Sequence, residues 1–303
     1  MGTPECVLLS SLSKSLSMAH SAHLPYRVSV DLTSGTDAAL FADLCDIDPS
    51  IPGILDAVIG EVHRYDSSLL ELWREAGLLG KVATYSLHYL VPFHALLYRG
   101  HPTETALLAV QLMSCLAWRS YDNCVDGHEA PRIAHLHSLA ACIRLIRYVE
   151  STFDTQAVDG VKDIEMHYQL MAIQVERELQ HPVPVGEIWK RCSLFLYAPE
   201  ALAGLDDMRV RVFRDYINYT GLAHDLSDIM SDIASGVVSL PLRWLSEVAD
   251  SGIINVAVME QVYERARHAV RPIEDGFAAA GVQENYPLIH RLLREASAVF
   301  DGR

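Results

Sequence analysis

The chain has 303 residues, with 24 basic and 39 acidic side chains and a formal net charge of −15 at pH 7. A chain of this length can bury a large core without disulfides or a structural metal. The negative charge argues against a general binder of nucleic acid or of anionic membranes, because their phosphates would repel the protein. An anionic substrate would therefore need a local cluster of basic groups or a bound divalent cation.

The N-terminal segment, residues 1–49, is predicted to be irregular because Pro25, Gly35 and Pro49 interrupt it. Its first residues make a poor signal peptide, since Ser and Lys break the apolar run. The six cysteines are scattered and lack the CxxC pairs of a zinc site. The most apolar window, 106–118, is too short to span a bilayer. We therefore expect a cytoplasmic protein with no membrane span.

From residue 50 onwards, apolar residues recur at helical spacing almost to the end of the chain. Glycine and proline divide this region into predicted helices at 51–77, 81–99, 103–126, 132–153, 161–180, 186–203, 207–234, 239–250, 255–280 and 285–300. The helix that contains 106–118 is apolar on nearly all sides, which predicts a position in the middle of a bundle. The sequence thus predicts a single all-α domain over residues 50–303.

A first acidic patch, SYDNCVDG at 120–127, ends this apolar helix. At about 100° per residue, Asp122 and Asp126 differ by about 40° and share one face. Two carboxylates at a helix C-terminus repel each other and meet the negative end of the helix dipole. A bound cation would relieve both effects. For this pair alone, however, a solvated acidic helix end explains the pattern equally well.

A second acidic patch lies in GLAHDLSDIMSDIASG at 221–236, where Asp225, Asp228 and Asp232 fall within an arc of about 60°. Asn218 continues the same face towards the N-terminus. Carboxylates are hard oxygen ligands of the kind that Mg²⁺ prefers. Because both patches end strongly apolar helices, a merely solvated surface is the weaker interpretation. The five aspartates are therefore predicted to be metal ligands.

Residues 78–245 resemble the class I isoprenoid (terpene) synthases, in particular the trans-prenyl diphosphate synthases. Gly80-Lys81 precedes DNCVD, which is similar to the DDxxD motif of that family, with Asn123 in place of an aspartate. KRCSLFLYAPEALAG resembles the KTxxLFxxAxxLGxxLAG segment, GLAHDLSDIMSD resembles GLAFQxxDDxxD, and Ser239-Leu240-Pro241 resembles the end of GKxTLP. Each match is weak by itself, but all of them occur in the order of the family.

The resemblance implies an all-α helical bundle around a central apolar cavity. Aspartates from two helices of such a bundle hold Mg²⁺, usually three ions, at the mouth of the cavity. The metal acts as a Lewis acid on the diphosphate of an allylic isoprenoid, whose departure leaves an allylic carbocation. The family is often dimeric, so a homodimer is one assembly that the resemblance allows.

Departures from the family favour a cyclase over a chain-elongating enzyme. Elongation requires basic groups for a second diphosphate, and the family's arginine after Lys81 is missing. Arg132 falls at the second of two family arginines, but Pro131 replaces the first, and Val237 replaces the lysine of GKxTLP. We therefore expect a terpene cyclase. A short-chain trans-prenyl diphosphate synthase, supported by Lys81 and Arg132, is the alternative. A non-catalytic subunit of a prenyl synthase is a more remote one, since such a subunit should lose its aspartates.

In that family the residue four before the first motif limits chain length, so the resemblance implies that Trp118 makes a short pocket, suited to a C10 or C15 substrate. Farnesyl diphosphate is the expected one. Aromatic faces would stabilise the cation. The residues predicted to line the cavity are Trp118, Tyr85, Tyr89, Phe93, Phe195, Asn218 and Tyr219. An ordinary core position is the competing interpretation for each aromatic. The predicted diphosphate-binding residues are Arg177, Lys190, Arg191, Lys81, Arg132, Arg291 and Arg294. A surface salt bridge is the alternative for these.

The product class follows from the substrate. The reduced first motif and the degraded second motif suggest a noncanonical sesquiterpene cyclase. Among such cyclases, we expect an enzyme similar to the fungal humulene synthases.

Overall fold

The computed structural model describes residues 35–65, 67–68, 70–71, 84, 86–125, 169, 173, 177, 181, 183–192, 207–235, 238–249 and 254–302. Every regular element among these residues is helical, so the predicted all-α class is confirmed for the part of the chain that they cover. The described residues fall into two compact units, one up to Val125 and the other from residue 169 onwards. The predicted single domain over 50–303 stays a prediction.

The first unit begins with helix α1, Gly35–Ile47, followed by α2, Ile51–Tyr65. The presence of α1 corrects the prediction of irregular structure for that part of residues 1–49. Gly35 and Pro49 lie at the two ends of the helix rather than inside it, so these breakers bound the helix instead of interrupting it.

The region predicted as a helix over 81–99 is helical over 86–98 but not regular. A π-helix, Ser86–Leu90, is followed by three α-helical residues, Val91–Phe93 (α3), and a second π-helix, His94–Tyr98. Pro92 lies in the middle and has no N–H to donate, which disturbs the α-helical hydrogen-bond ladder. The Arg99 N–H donates to the His94 carbonyl oxygen five residues earlier, at 3.0 Å.

Helix α4, Glu104–Val125, is the central helix of the first unit. All side chains from Ala106 to Met113 are buried. The helix packs against α2 and against both π-helices. The prediction that this apolar helix lies in the interior is therefore confirmed for its described side chains.

A partly buried cluster of polar and charged side chains joins three parts of the first unit. Asp48, between α1 and α2, accepts hydrogen bonds from the Ser50 N–H at 3.0 Å and the Ser50 hydroxyl at 2.6 Å, and it pairs with Arg99. His94 Nε2 lies 3.7 Å from Asp48 Oδ2, and His94 Nδ1 is hydrogen-bonded to Glu104 at the start of α4. The cluster therefore ties the α1–α2 connection and the second π-helix to the first turn of α4.

The second unit is built around helix α5, Asp207–Ser227. Its other described elements are a 3₁₀ helix, Val185–Cys192, and the helices α6 (Ile229–Ser235), α7 (Leu240–Val248), α8 (Val256–Ala279), α9 (Val282–Asn285) and α10 (Pro287–Phe300). Helix α5 contacts the 3₁₀ helix, α6, α7, α8 and α10. A residue on α5 can therefore meet side chains from several distant parts of the sequence.

The chain turns from α8 into α9 at Gly281, whose φ of 63° is left-handed and favours glycine. At the other end of α8, the Asn255 side chain caps the helix by accepting a hydrogen bond from the Val258 N–H at 3.1 Å. Of the helices that the structure describes, none is both long enough and apolar enough to cross a membrane.

Candidate metal and diphosphate site

The second acidic patch lies where α5 passes into α6. Asp225 belongs to the end of α5, Asp228 is the single residue between the helices, and Asp232 lies in the first turn of α6. The Asp228 N–H donates to the His224 carbonyl oxygen at 3.0 Å, and the Asp232 N–H donates to the Asp228 carbonyl oxygen at 2.9 Å. Helical hydrogen bonding thus continues across the junction. The aspartates keep the spacing on which the predicted stripe depends.

The three carboxylates differ in their exposure to water. Asp225 is 7% exposed, Asp232 is half-buried and Asp228 is exposed. His224 Nε2 lies 3.5 Å from Asp228 Oδ2. We call Asp225, Asp228 and Asp232 the acidic stripe.

The electrostatics of the stripe can be seen at Asp232. Burial raises the pKa of this carboxyl, hydrogen bonding with Ser239 opposes the rise, and the negative charges of Asp225 and Asp228 add to it. The charges of Asp225 and Asp228 therefore disfavour the ionised form of Asp232. A cation placed among them would remove this cost.

The 3₁₀ helix Val185–Cys192 packs on α5 on the same line as the acidic stripe. The Trp189 N–H donates to Asn218 Oδ1 at 2.8 Å, and Asn218 is buried. One turn further along α5, a Cβ on Gly221 would lie 2.6 Å from Ile188 Cγ2. Asn218 and Gly221 precede Asp225 by two turns and one turn of helix, so this packing lies beside the stripe.

A cation–π contact adds to this packing. The Arg214 guanidinium lies over the Trp189 ring, 4.5 Å from its centroid. The sequence analysis placed Asn218 on the same helix face as the acidic stripe but missed the contact with Ile188 and Trp189. No sequence signal links residues that lie about thirty positions apart, although a glycine within an amphipathic helix is a hint of close packing.

The predicted diphosphate-binding residues of the second unit lie in several elements. Lys190, in the 3₁₀ helix, forms an ion pair with Glu187 at 2.8 Å, while the side chain of Arg191 lies outside the described residues. Arg177 is exposed. On α10, Arg294 is exposed and Arg291 is half-buried, with its Nη1 2.8 Å from Glu295 Oε2. Of these residues, Lys190 lies next in sequence to Trp189, which contacts α5.

The first acidic patch is described only in part. Asp122 and Trp118 lie in the last turns of α4, but their side chains are outside the described set. Asp126, Lys81 and Arg132 lie outside the described residues altogether. Their predicted roles stay predictions.

The aromatic residues predicted to line a cavity have varied positions. Tyr85 and Phe195 lie outside the described residues. Tyr89 is half-buried, and Phe93 is buried and stacks on Tyr98 with ring centroids 5.9 Å apart. The π-helical turns around these two residues change the spacing of 100° per residue on which the predicted stripe of Tyr85, Tyr89 and Phe93 was based.

Tyr219 is buried on another side of α5 from the acidic stripe. Its hydroxyl donates to Glu274 Oε1 at 3.1 Å, and its ring packs edge-on against Phe277 and Phe300. Burial raises the pKa of the Tyr219 hydroxyl, and the Glu274 charge contributes to the rise. In the described structure Tyr219 thus joins α5 to α8 and α10.

The acidic stripe offers ligands for a metal ion but not a closed cage. Within the described ranges, no three histidine, cysteine, aspartate or glutamate side chains come together closely enough to hold a metal ion. Mg²⁺ is usually bound by one or two carboxylates, with water and substrate phosphates completing its octahedron. The donor chemistry of Asp225, Asp228 and Asp232 fits this ion.

Comparison with protein-family models, with characterised proteins and with solved structures found no match for this chain. The resemblance to class I isoprenoid synthases therefore rests on the motifs alone.

Proposed function

We propose that the protein is a class I terpene cyclase that ionises farnesyl diphosphate with Mg²⁺ and releases a sesquiterpene hydrocarbon and diphosphate. A humulene-type product is included in this proposal. The motifs named above supply the reaction class, and the second unit supplies the structural support. The proposal does not depend on the side chains of the first acidic patch, which are not described.

One observation carries the proposal. The 3₁₀ helix that contains Lys190 packs on α5 at Asn218 and Gly221, on the line of the acidic stripe. A reaction on a diphosphate requires ligands for Mg²⁺ and cationic groups for the phosphate oxygens. Candidates for both requirements come from sequence segments that pack against each other.

The burial of the stripe supports the same conclusion. Asp225 is almost completely buried, and Asp232 is half-buried with the charges of Asp225 and Asp228 acting on it. A cation bound beside these carboxylates would offset the repulsion at Asp232. Selection for metal binding would explain why the acidic side chains occupy this position.

In the proposed reaction, Mg²⁺ held by the acidic stripe would supply Lewis-acid activation of the leaving group. The carbon–oxygen bond of the allylic diphosphate breaks, and its electron pair leaves with the diphosphate. Lys190 binds the phosphate oxygens of the leaving group. A distal double bond of the substrate then attacks the allylic cation, and loss of a proton gives the neutral hydrocarbon.

The test is incubation of the purified protein with farnesyl diphosphate and Mg²⁺, with and without isopentenyl diphosphate, and analysis of volatile and diphosphate products. We expect a hydrocarbon from farnesyl diphosphate alone. The Asp225→Asn and Asp228→Asn variants should lose at least about 100-fold in kcat/KM, because they remove charge that holds the metal. Asp275→Asn, an exposed aspartate on α8, is the matched control and should retain activity.

The same experiment distinguishes the alternatives. Turnover only when both diphosphates are present, with a longer diphosphate as product, would identify a prenyl diphosphate synthase. If neither mixture is turned over, the result would favour the non-catalytic subunit over both enzymes. Full activity of the Asp228→Asn variant would refute the metal-binding role of the acidic stripe, whichever substrate is used.

A further inference from the structure

The 3₁₀ helix is fixed on α5 by a buried hydrogen bond and by a contact that only a glycine permits. Asn218 Oδ1 accepts from the Trp189 N–H at 2.8 Å. A Cβ on Gly221 would meet Ile188 Cγ2 at 2.6 Å, a separation that requires one of the two chains to move. Ile188 is 1% exposed, so its side chain has no open space on the water side. These two contacts are made by Ile188 and Trp189, the two residues before Lys190.

We propose that Gly221 and Asn218 are positioning residues for a diphosphate-binding strap formed by the 3₁₀ helix Val185–Cys192. The inference rests on the proposed function, because it takes the anion bound by Lys190 to be the diphosphate. Neither residue touches the anion itself. They determine where the backbone beside Lys190 lies relative to the acidic stripe.

The physical reason is the short distance along α5 between these contacts and the stripe. Gly221 precedes Asp225 by four residues, which corresponds to a rise of about 6 Å. The Ile188 side chain can approach α5 this closely because residue 221 has no side chain. A displacement of the strap by about 1 Å would therefore separate the phosphate-binding group from the metal ligands, and misplacement on that scale can lower a reaction rate by up to about 100-fold.

The ion pair of Lys190 with Glu187 is compatible with this role. The two side chains are 38% and 44% exposed, so their pairing at 2.8 Å is only weakly stabilising. A diphosphate with Mg²⁺ offers Lys190 several oxygens in place of one carboxylate.

The experiment measures the affinity of the full-length protein for inorganic pyrophosphate in Mg²⁺ buffer by titration calorimetry. Gly221→Ala should weaken this affinity about tenfold, because the new methyl group displaces Ile188 and the strap. Adding Ile188→Leu should restore the affinity to within about twofold of Ile188→Leu alone, since leucine has no branch at Cβ to meet the methyl group. Adding Ile188→Val keeps that branch and should leave the affinity low.

A second pair of variants tests the hydrogen bond without creating a clash. Asn218→Ala removes the acceptor of the Trp189 N–H and should weaken pyrophosphate binding in the same direction as Gly221→Ala. Thr220→Ala is the matched control, because the Thr220 hydroxyl donates only within α5, to the Tyr216 carbonyl oxygen at 2.8 Å. Its affinity should equal that of the wild type. This pair keeps the inference testable if Gly221→Ala fails to fold.

The outcomes separate this inference from the proposed function. A wild-type protein that neither binds pyrophosphate in Mg²⁺ nor turns over farnesyl diphosphate would overturn both. A wild-type protein that binds pyrophosphate, with Gly221→Ala and Asn218→Ala variants of unchanged affinity, would overturn the positioning role alone. Equal affinities of the two double variants, with leucine and with valine at 188, would refute the proposed contact.

Discussion

The acidic stripe should destabilise the metal-free protein, and Asp232→Asn tests this directly. Asp232 lies four residues after Asp228 and seven after Asp225, and both charges raise its pKa in addition to the effect of burial. Asparagine keeps the shape of the side chain and can still accept a hydrogen bond. The substitution therefore removes one charge from the stripe with little change in packing.

The expected magnitude follows from these interactions. A like-charge pair at i, i+4 costs about 0.2–0.5 kcal/mol, and partial burial of the carboxylate adds to this cost. In the absence of metal, we expect Asp232→Asn to raise the free energy of unfolding by about 0.5–1.5 kcal/mol. For a protein of this size this corresponds to a Tm higher by about 1–4 °C.

Magnesium should offset the stability advantage of the Asp232→Asn variant. If the wild type binds Mg²⁺ with a Kd of about 1 mM, then 10 mM Mg²⁺ stabilises it by about 1.4 kcal/mol. The Asp232→Asn variant has lost a ligand and should gain much less. Calcium or sodium at equal ionic strength would show whether the effect is specific for Mg²⁺ or due to screening.

The assay is thermal denaturation of both proteins in EDTA and in Mg²⁺, at pH 8 and pH 5. Because the pKa of Asp232 is raised in the folded state, its unfavourable charge is fully present at high pH and is lost as the pH falls towards 4. The difference in Tm without metal should thus be larger at pH 8. Asp275→Asn, on the exposed surface of α8, is the control. Equal Mg²⁺-induced shifts in the wild type and in Asp232→Asn would refute the reasoning.

Three further predictions concern charges elsewhere in the two units. Glu187→Gln should increase the affinity for pyrophosphate about two- to threefold at low salt, because it frees Lys190 from an exposed ion pair, and calorimetry measures the change. Asp48→Asn should lower the free energy of unfolding by about 1–3 kcal/mol near neutral pH. Burial tends to raise the pKa of Asp48, but the hydrogen bonds from Ser50 and the Arg99 charge give this group a lowered pKa. The loss of unfolding free energy caused by Asp48→Asn, measured by denaturant unfolding, should therefore shrink as the pH falls below about 4. Burial raises the pKa of Asp56 to about 6, so Asp56→Asn should stabilise the protein by about 1 kcal/mol at pH 7.5 and leave it unchanged at pH 4. An effect of Asp56→Asn that does not depend on pH would contradict the assignment.

Much of the fold could be predicted because helix formation here depends on local patterns. The apolar periodicity and the glycine and proline breakers predicted α4, α8 and α10, and the structure has helices at Glu104–Val125, Val256–Ala279 and Pro287–Phe300. The apolar surface of residues 106–118, on nearly all sides of α4, predicted its burial, since little polar face was left to meet water. Helix α1 was missed because its bounding residues were interpreted as interruptions.

The irregular helix at 86–98 shows where local patterns are insufficient. Pro92 predicted a kink, but not that π-helical turns would stand on both sides of Val91–Phe93. Such turns persist only when surrounding contacts compensate for the lost hydrogen bonding, and those contacts come from α4. An aromatic stripe drawn at 100° per residue therefore loses its basis in this region.

The sequence by itself determined the helical character of the described chain and the composition of the acidic stripe, because both depend on residues within a few positions of one another. Only the tertiary structure decided how deeply each carboxylate is buried, and that the strap lies against Asn218 and Gly221. These properties depend on side chains about thirty residues away and on neighbouring helices. Spacing within one helix contains no information about them.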